Sequence, residues 1–243
     1  LVIQVGSGVL LLAGVILHAS ATGSIAFDKL IGDDGLLGTA SPAVILNVHA
    51  FGVKSAVPFL HHWLQDAYPN GTVTGTVFLS AFTTKLAIYA LARGYPGTEI
   101  LIPMGVVMTL FPVFYAVIEN DLRKVLAYSL NNQLGYMVVG IGIGTALSLN
   151  GTVSHAFAHI LDKALLFMTM GAVLHRVGTT KATELGGLYK SMPVTTVCCI
   201  IAAASIAGLP FFSGFVTKSM VITAVGDHHL TWIFLAAFSL SGL

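Results

Sequence analysis

The sequence predicts an all-α polytopic membrane protein, and three observations carry that prediction. Of 243 residues, 56% are hydrophobic. Only 9% are charged, 11 basic and 10 acidic, against about 25% in soluble domains. Mean hydropathy is +0.88, and apolar runs long enough to cross a bilayer recur from one end of the chain to the other. So few charges cannot clothe a water-soluble body of 25.4 kDa, so lipid is the main solvent. A net charge of +1 with no Lys/Arg cluster excludes nucleic acid as a partner. Cys198 and Cys199 are adjacent in an apolar run, which fits small hydrophobes better than a disulfide framework. The chain reads as a single transmembrane domain over 1–243, an excerpt of a longer protein.

A hydrocarbon core of ~30 Å needs about 20 apolar residues per helical crossing. About eight such helices are expected. The first covers 1–18, an apolar opening without the basic start of a signal peptide. The second covers 43–64 and carries Pro58, where a missing N–H and a ring clash should break it. Uninterrupted apolar runs place the third at 72–92 and the fourth at 100–119. The fifth, 123–146, follows Asp121 as N-cap, and the sixth covers 151–175. The seventh, 193–225, is too long for one straight crossing and holds Gly208-Leu209-Pro210 at its middle. The eighth begins at 230. The two breaks resemble each other: Ala56-Val57-Pro58-Phe59 with Trp63 matches Gly208-Leu209-Pro210-Phe211 with Phe215. Broken helices at corresponding places in two halves point to an inverted-repeat transporter architecture.

Successive loops lie on alternate sides of the membrane. Loops after helices one, three, five and seven hold Lys29 and Arg93; those after two, four and six hold Arg123, Lys124, Arg176, Lys181 and Lys190. The positive-inside rule puts the second set, with Asp66, in the cytoplasm and the Asp33 loop opposite. Four basic residues remain, Lys54, Lys85, Lys163 and Lys218, and all fall inside expected membrane helices.

A charge at mid-bilayer costs about 2.5–3.5 kcal/mol on insertion scales. Four lysines therefore need protein or water around them, and burial brings an ammonium toward a range where it can lose and regain a proton. That suits a stepwise relay at similar depth; the bland alternative is snorkelling from helix ends. On the sixth helix His155, His159 and Lys163 recur at intervals of four, drifting about 80° and climbing ~12 Å along one face. An aligned His/His/Lys ladder can conduct protons through bridging water. A structural polar stripe is the alternative, and His155, His159 and Asp162 also have the spacing of helix-borne metal ligands. No metal or cofactor site is assigned: CxxC arrays, GxGxxG and haem-ligand patterns are missing from the sequence. After the first break, His61 and Asp66 are candidates for proton or cation access and gating, as is Asp162; Asp66 reads equally as a cap of the next element. Trp63 and Tyr68 suit interface anchors.

These same stretches resemble a known family. Lys54 through HHWLQDAYP to TTKLAIYALAR, ENDLRKVLAYSLNNQLGYM, HAFAHILDKALLFMTMGAVLHR, LGGLYKSMP and AGLPFFSGFVTKSM are similar, in order, to the antiporter-like membrane subunits shared by Mrp-type multisubunit Na+/H+ antiporters and respiratory complex I. DAYP and TKLAIYAL look most like the antiporters' D subunit. The resemblance implies that Lys54 is the lysine of the first broken helix, paired with a glutamate that would precede Leu1. It makes Lys85 the connecting lysine, His159 and Lys163 the central relay, and Lys218 the terminal group of the second broken helix. The sequence departs from the family pattern at Gln65, where a proline is usual, at Gly71-Thr72-Val73-Thr74, and at Asp162, a position commonly aromatic.

The expected function is proton translocation within a monovalent cation (Na+)/H+ antiporter. The alternative is a proton-pumping subunit of an NADH:quinone oxidoreductase or related redox complex whose partners carry the electrons. Either way the expected partners are other membrane subunits, the lipid bilayer, protons and a monovalent cation, in the inner (plasma) membrane. Cysteine labelling from outside intact cells tests the orientation: position 33 is marked and position 181 spared, and the reverse pattern would overturn it.

Overall fold

The computed structural model describes residues 2–31 and 41–228; the eighth expected helix and the Asp33 loop lie outside them. Among the described residues every regular element is helical, apart from one isolated bridge between Asp121 and Lys181. α1 is Val2–Thr22. The second expected helix is a broken pair, α2 (Pro42–Lys54) and α3 (His62–Asn70). α4 spans Val73–Gly94 and contains a π-helical turn, Leu79–Thr83. α5 is Leu101–Ile118, α6 Leu122–Ile143 and α7 Ala146–Val177. The seventh expected helix is again a pair, α8 (Pro193–Ala207) and α9 (Ser213–Asp227).

About eight crossings were expected; among the described residues four helices are long and apolar enough to cross a membrane by themselves: α1, α4, α5 and α7. The difference is physical. The breaks leave halves of 9 to 15 residues, and α6 carries the buried amides of Asn131, Asn132 and Gln133. α7 also begins five residues earlier than 151, because Gly144 ends α6 at φ 71° and Thr145 caps the new helix by accepting from Ser148 N–H.

The two breaks repeat one backbone design at positions 152 apart. Ala56 and Gly208 have φ of 60° and 81°, and Phe59 and Phe211 have 69° and 76°. Ala56 N–H donates to Val53 O and Gly208 N–H to Ser205 O; Val57 N–H donates to Gly52 O and Leu209 N–H to Ala204 O. Leu60 to Val57 and Phe212 to Leu209 complete the set. Three of the four left-handed residues carry side chains, at about 1–3 kcal/mol each. Proline at the third position of both motifs prevents the helix from running on.

The loops pair as the alternation requires. At one end Arg93 Nε donates to Phe27 O, and Leu30 N–H to Gly94 O. At the other, Leu122 N–H donates to Thr180 O, Ala182 N–H to Asn120 O, and Thr180 Oγ1 to Asp121 Oδ1. Asp121 caps α6 as expected. In this exposed loop the Thr179 hydroxyl and Lys181 hold the Glu184 carboxyl below its usual range. Arg123 needs correction: it is not a solvated loop charge but is 4% exposed, and its guanidinium donates to Gly71 O and Thr76 Oγ1, both at 3.0 Å. It ties the α3–α4 turn to α6, with the charge satisfied by oxygens that the turn leaves open.

α5 and α6 pack backbone to backbone through Gly105 and Gly135. A Cβ on either would lie 2.6 Å from the other's carbonyl oxygen, an approach that only small residues allow in a membrane bundle. Replacing Gly135 with Ala forces the helices apart. The expected loss is about 1–3 kcal/mol, read as a lower midpoint in thermal unfolding of the purified protein, whereas Gly6→Ala, with open space at its Cβ, leaves the midpoint unchanged.

Candidate functional site: a buried lysine–histidine line

The polar centre lies where α7 meets α4, α6 and α9. Its five ionisable groups, Lys85, His155, His159, Lys163 and Lys218, are all between 0 and 5% exposed. Each lysine is held by a main-chain oxygen. Lys85 Nζ donates to Ser80 O at 2.5 Å, inside the π-helical turn of α4, a distortion that often accompanies function. Lys163 Nζ donates to Leu126 O at 3.2 Å and to Ser129 Oγ at 3.0 Å on α6. Lys218 Nζ donates to Ile206 O at 2.6 Å, in the last turn of α8, where helix carbonyls lack intrahelical partners.

The histidines fill the space between. His155 and His159 stack with ring centroids 5.9 Å apart. His155 Nε2 meets Gln133 Oε1 and Nδ1 meets Thr217 Oγ1, both at 3.0 Å. An amide oxygen only accepts, whereas a hydroxyl both accepts and donates. The imidazole can therefore gain or lose a proton at Nδ1 without losing either hydrogen bond. His159 is buried with no hydrogen-bond partner at Nδ1 or Nε2 among the described residues. It lies within electrostatic reach of Lys85, Lys163, His155 and Lys218, so it stands at the centre of the group.

Five of the six expected relay residues thus come together. Lys54 does not: it ends α2, is half-buried, and shares no hydrogen bond or ion pair with the other five among the described residues. The expected access residues lie apart. His61 is 7% exposed, packs on His62 and Phe111 with centroids at 4.3 and 5.4 Å, and borders a cavity of about 280 Å³ together with Asn131. Asp66 is exposed and lines a cleft of about 550 Å³ beside Gln4, Trp63 and Thr83. It does not cap the next element, because Thr72 does so. Asp162 is half-buried and accepts from Ser205 Oγ at 2.9 Å. Since His155 is engaged by Gln133 and Thr217, the metal-ligand reading of His155, His159 and Asp162 has no common focus.

Tyr68 is also corrected. Tyr68 is no interface anchor, being fully buried with its hydroxyl donating to Leu79 O at the π turn, whereas Trp63 is half-buried and its Nε1 donates to Val53 O across the first break, both at 2.9 Å. Sequence reasoning missed Ser80, Ser129, Gln133, Tyr136 and Thr217. The Asn131-Asn132-Gln133 run in an apolar helix was a readable signal, since buried amides require partners. Tyr136, whose hydroxyl bonds to Lys218 O and whose ring lies 5.3 Å from His155, left no such mark.

Comparison with known proteins matches the chain to a family. The profile described as NADH:quinone oxidoreductase/Mrp antiporter, TM, covers residues 1–243. The chain is 36% identical over 203 residues to the L subunit of the F(420)H(2) dehydrogenase of Methanosarcina mazei, covering 76% of this chain and 30% of that one. It is 33% identical over 236 residues to the D subunit of the Na(+)/H(+) antiporter of Alkalihalophilus pseudofirmus, covering 92% of this chain and 48% of the relative. In the structure of the Mrp complex from a Dietzia species, one chain superposes with a TM-score of 0.88 at 30% identity, covering 98% of this chain and 46% of that chain. The chain spans less than half the length of these relatives. It is a membrane protein, and it belongs to the NADH:quinone oxidoreductase/Mrp antiporter membrane-subunit family.

Proposed function

We propose that the protein translocates protons as a membrane subunit of a multisubunit monovalent cation (Na+)/H+ antiporter, seated in the plasma membrane among other membrane subunits. The observation that carries this reading is the buried line Lys85, His159, Lys163 and Lys218, with His155 beside it. Ionisable groups held by oxygens and shielded from lipid can pass a proton stepwise. A positive charge arriving at one lysine disfavours protonation of the next and drives the proton onward. Lys54, His61 and Asp66 belong at the access side of this path, by the first break.

Similarity to the F(420)H(2) dehydrogenase chain favours a second reading, in which the same line is driven by electron transfer in partner subunits. In vesicles holding the assembled complex, proton movement driven by a Na+ gradient alone supports the antiporter. Proton movement only during oxidation of an added electron donor supports the redox complex.

Lys163→Ala should abolish proton uptake in either setting. Its ammonium is fully buried and fixed by Leu126 and Ser129, and a methyl group carries no charge to pass on. Lys190→Ala should leave uptake unchanged, since Lys190 sits on an exposed helical turn where solvent screens it. Uptake by vesicles containing each variant, with assembly checked on a native gel, provides the test. Wild-type uptake by an assembled Lys163→Ala complex would overturn the relay.

A further inference from the structure

Two neighbouring amides of α6, Asn132 and Gln133, form a buried hydrogen-bonded chain whose direction is fixed at one end by main chain. Asn132 Nδ2 donates to Thr109 O of α5 at 2.6 Å. A carbonyl accepts and never donates, so the other end of this amide, Oδ1, is the acceptor that faces Gln133. Gln133 Nε2 donates to it at 3.0 Å. The second amide is thereby oriented as well: its Oε1 meets His155 Nε2 at 3.0 Å, and an oxygen that can only accept requires a hydrogen on that nitrogen. A carbonyl on α5 thus decides which ring nitrogen of a histidine on α7 carries hydrogen.

The opposite edge of the ring has the freedom that this edge lacks. His155 Nδ1 lies 3.0 Å from Thr217 Oγ1, and the same hydroxyl has two main-chain acceptors in reach, Ser213 O at 3.1 Å and Gly214 O at 3.3 Å, in the first turn of α9. With Nδ1 bare, the hydroxyl donates to the ring. When Nδ1 gains a proton, the ring donates to Oγ1 and the hydroxyl turns to Ser213 O, so both states keep every partner. Gln133, His155 and Thr217 are all buried, and no bulk solvent stands ready to replace a lost bond.

We propose that Gln133, aimed by Asn132 and Thr109 O, holds neutral His155 as the Nε2–H tautomer and confines its proton exchange to Nδ1, on the Thr217 side beside the second break. Gln133 acts through His155 and is a positioning residue. In the step, the Nδ1 lone pair takes a proton and an N–H bond forms; the Thr217 O–H···N hydrogen bond is exchanged for N–H···O, and loss of the same proton restores the neutral ring. The Nε2–H bond stays unbroken throughout. Thr217 precedes Lys218, whose ammonium is received by Ile206 O, so the exchanging edge of the ring is the one against the helix that carries the terminal lysine.

This inference rests on the relay reading above, but the tautomer is read without a transport assay. Nitrogen magnetic resonance of the assembled complex in lipid, with the His155 signal identified by its loss in His155→Gln, should find hydrogen on Nε2 in the neutral ring at alkaline pH. Gln133→Met, of similar length but without the amide, should leave a mixture of tautomers and lower proton uptake by vesicles about tenfold. Gln133→Glu, which keeps a terminal oxygen opposite Nε2, should recover the tautomer and most of the uptake. Thr217→Val should lower uptake about tenfold with the Nε2–H tautomer intact, and Thr217→Ser should recover most of it. Hydrogen on Nδ1 of the neutral wild-type ring would overturn the proposal whatever the variants do, as would a wild-type tautomer and wild-type uptake in an assembled Gln133→Met complex. Lys163→Ala in the same vesicles separates the two ideas: if it loses uptake while Gln133→Met keeps both tautomer and uptake, only the tautomer lock fails, and if it keeps uptake the relay fails while the resonance measurement still decides the lock.

Discussion

An ammonium group taken out of water must be met by oxygen, and this molecule supplies the oxygen by interrupting its own helices. Lys85 is received by a carbonyl of the π-helical turn. Lys218 is received by a carbonyl that the second break releases from α8. Lys163, on an unbroken helix, instead borrows Leu126 O and the Ser129 hydroxyl from α6. The rest follows from that constraint. At the second break the interruption leaves the Ile206 carbonyl beside the buried Lys218 ammonium.

The histidines then answer a different need. Buried lysines that act on one another repel, and a relay through them calls for a group between them that can carry a proton. His159 has both ring nitrogens unclaimed by protein among the described residues. His155 is the fixed end of the pair, tethered to Gln133 and Thr217. A site of this kind is a path rather than a pocket. The chain is similar to subunits of a Na+/H+ antiporter and of an F(420)H(2) dehydrogenase, and a relay of the kind proposed is compatible with either energy source.

Much of this was legible in the sequence because buried charge is costly and therefore conspicuous. Lysines stranded in apolar runs, and a His/His/Lys ladder at intervals of four, stand out against a chain with few charges. The alternation of loops could be read from the basic residues, and the structure ties those loops together in the expected groups. Other features left no mark. Nothing in Leu79-Ser80-Ala81-Phe82-Thr83 announces a π turn, because it contains neither Pro nor Gly. Ser129 and Thr217 look like any helix hydroxyl that could bond within its own turn. Arg123 was counted with the loops because one residue at a helix start can be solvated or buried, and only the open carbonyl of Gly71 decides it. Trp63 and Tyr68 suited an interface by residue type but were claimed by carbonyls at the break and the π turn. An apolar run does not reveal how a break divides it: among the described residues four helices are long and apolar enough to cross a membrane by themselves.

The central claim is that His159 mediates proton exchange between Lys85, Lys163 and Lys218. The most direct measurement is a high-resolution experimental structure of the assembled complex in lipid, with ordered water resolved around this residue. The account predicts water within hydrogen-bond distance of Nδ1 and Nε2, continuing to the lysine ammonium groups on both sides. A His159 ring packed dry against apolar side chains, with no water linking it to any of the three lysines, would contradict it.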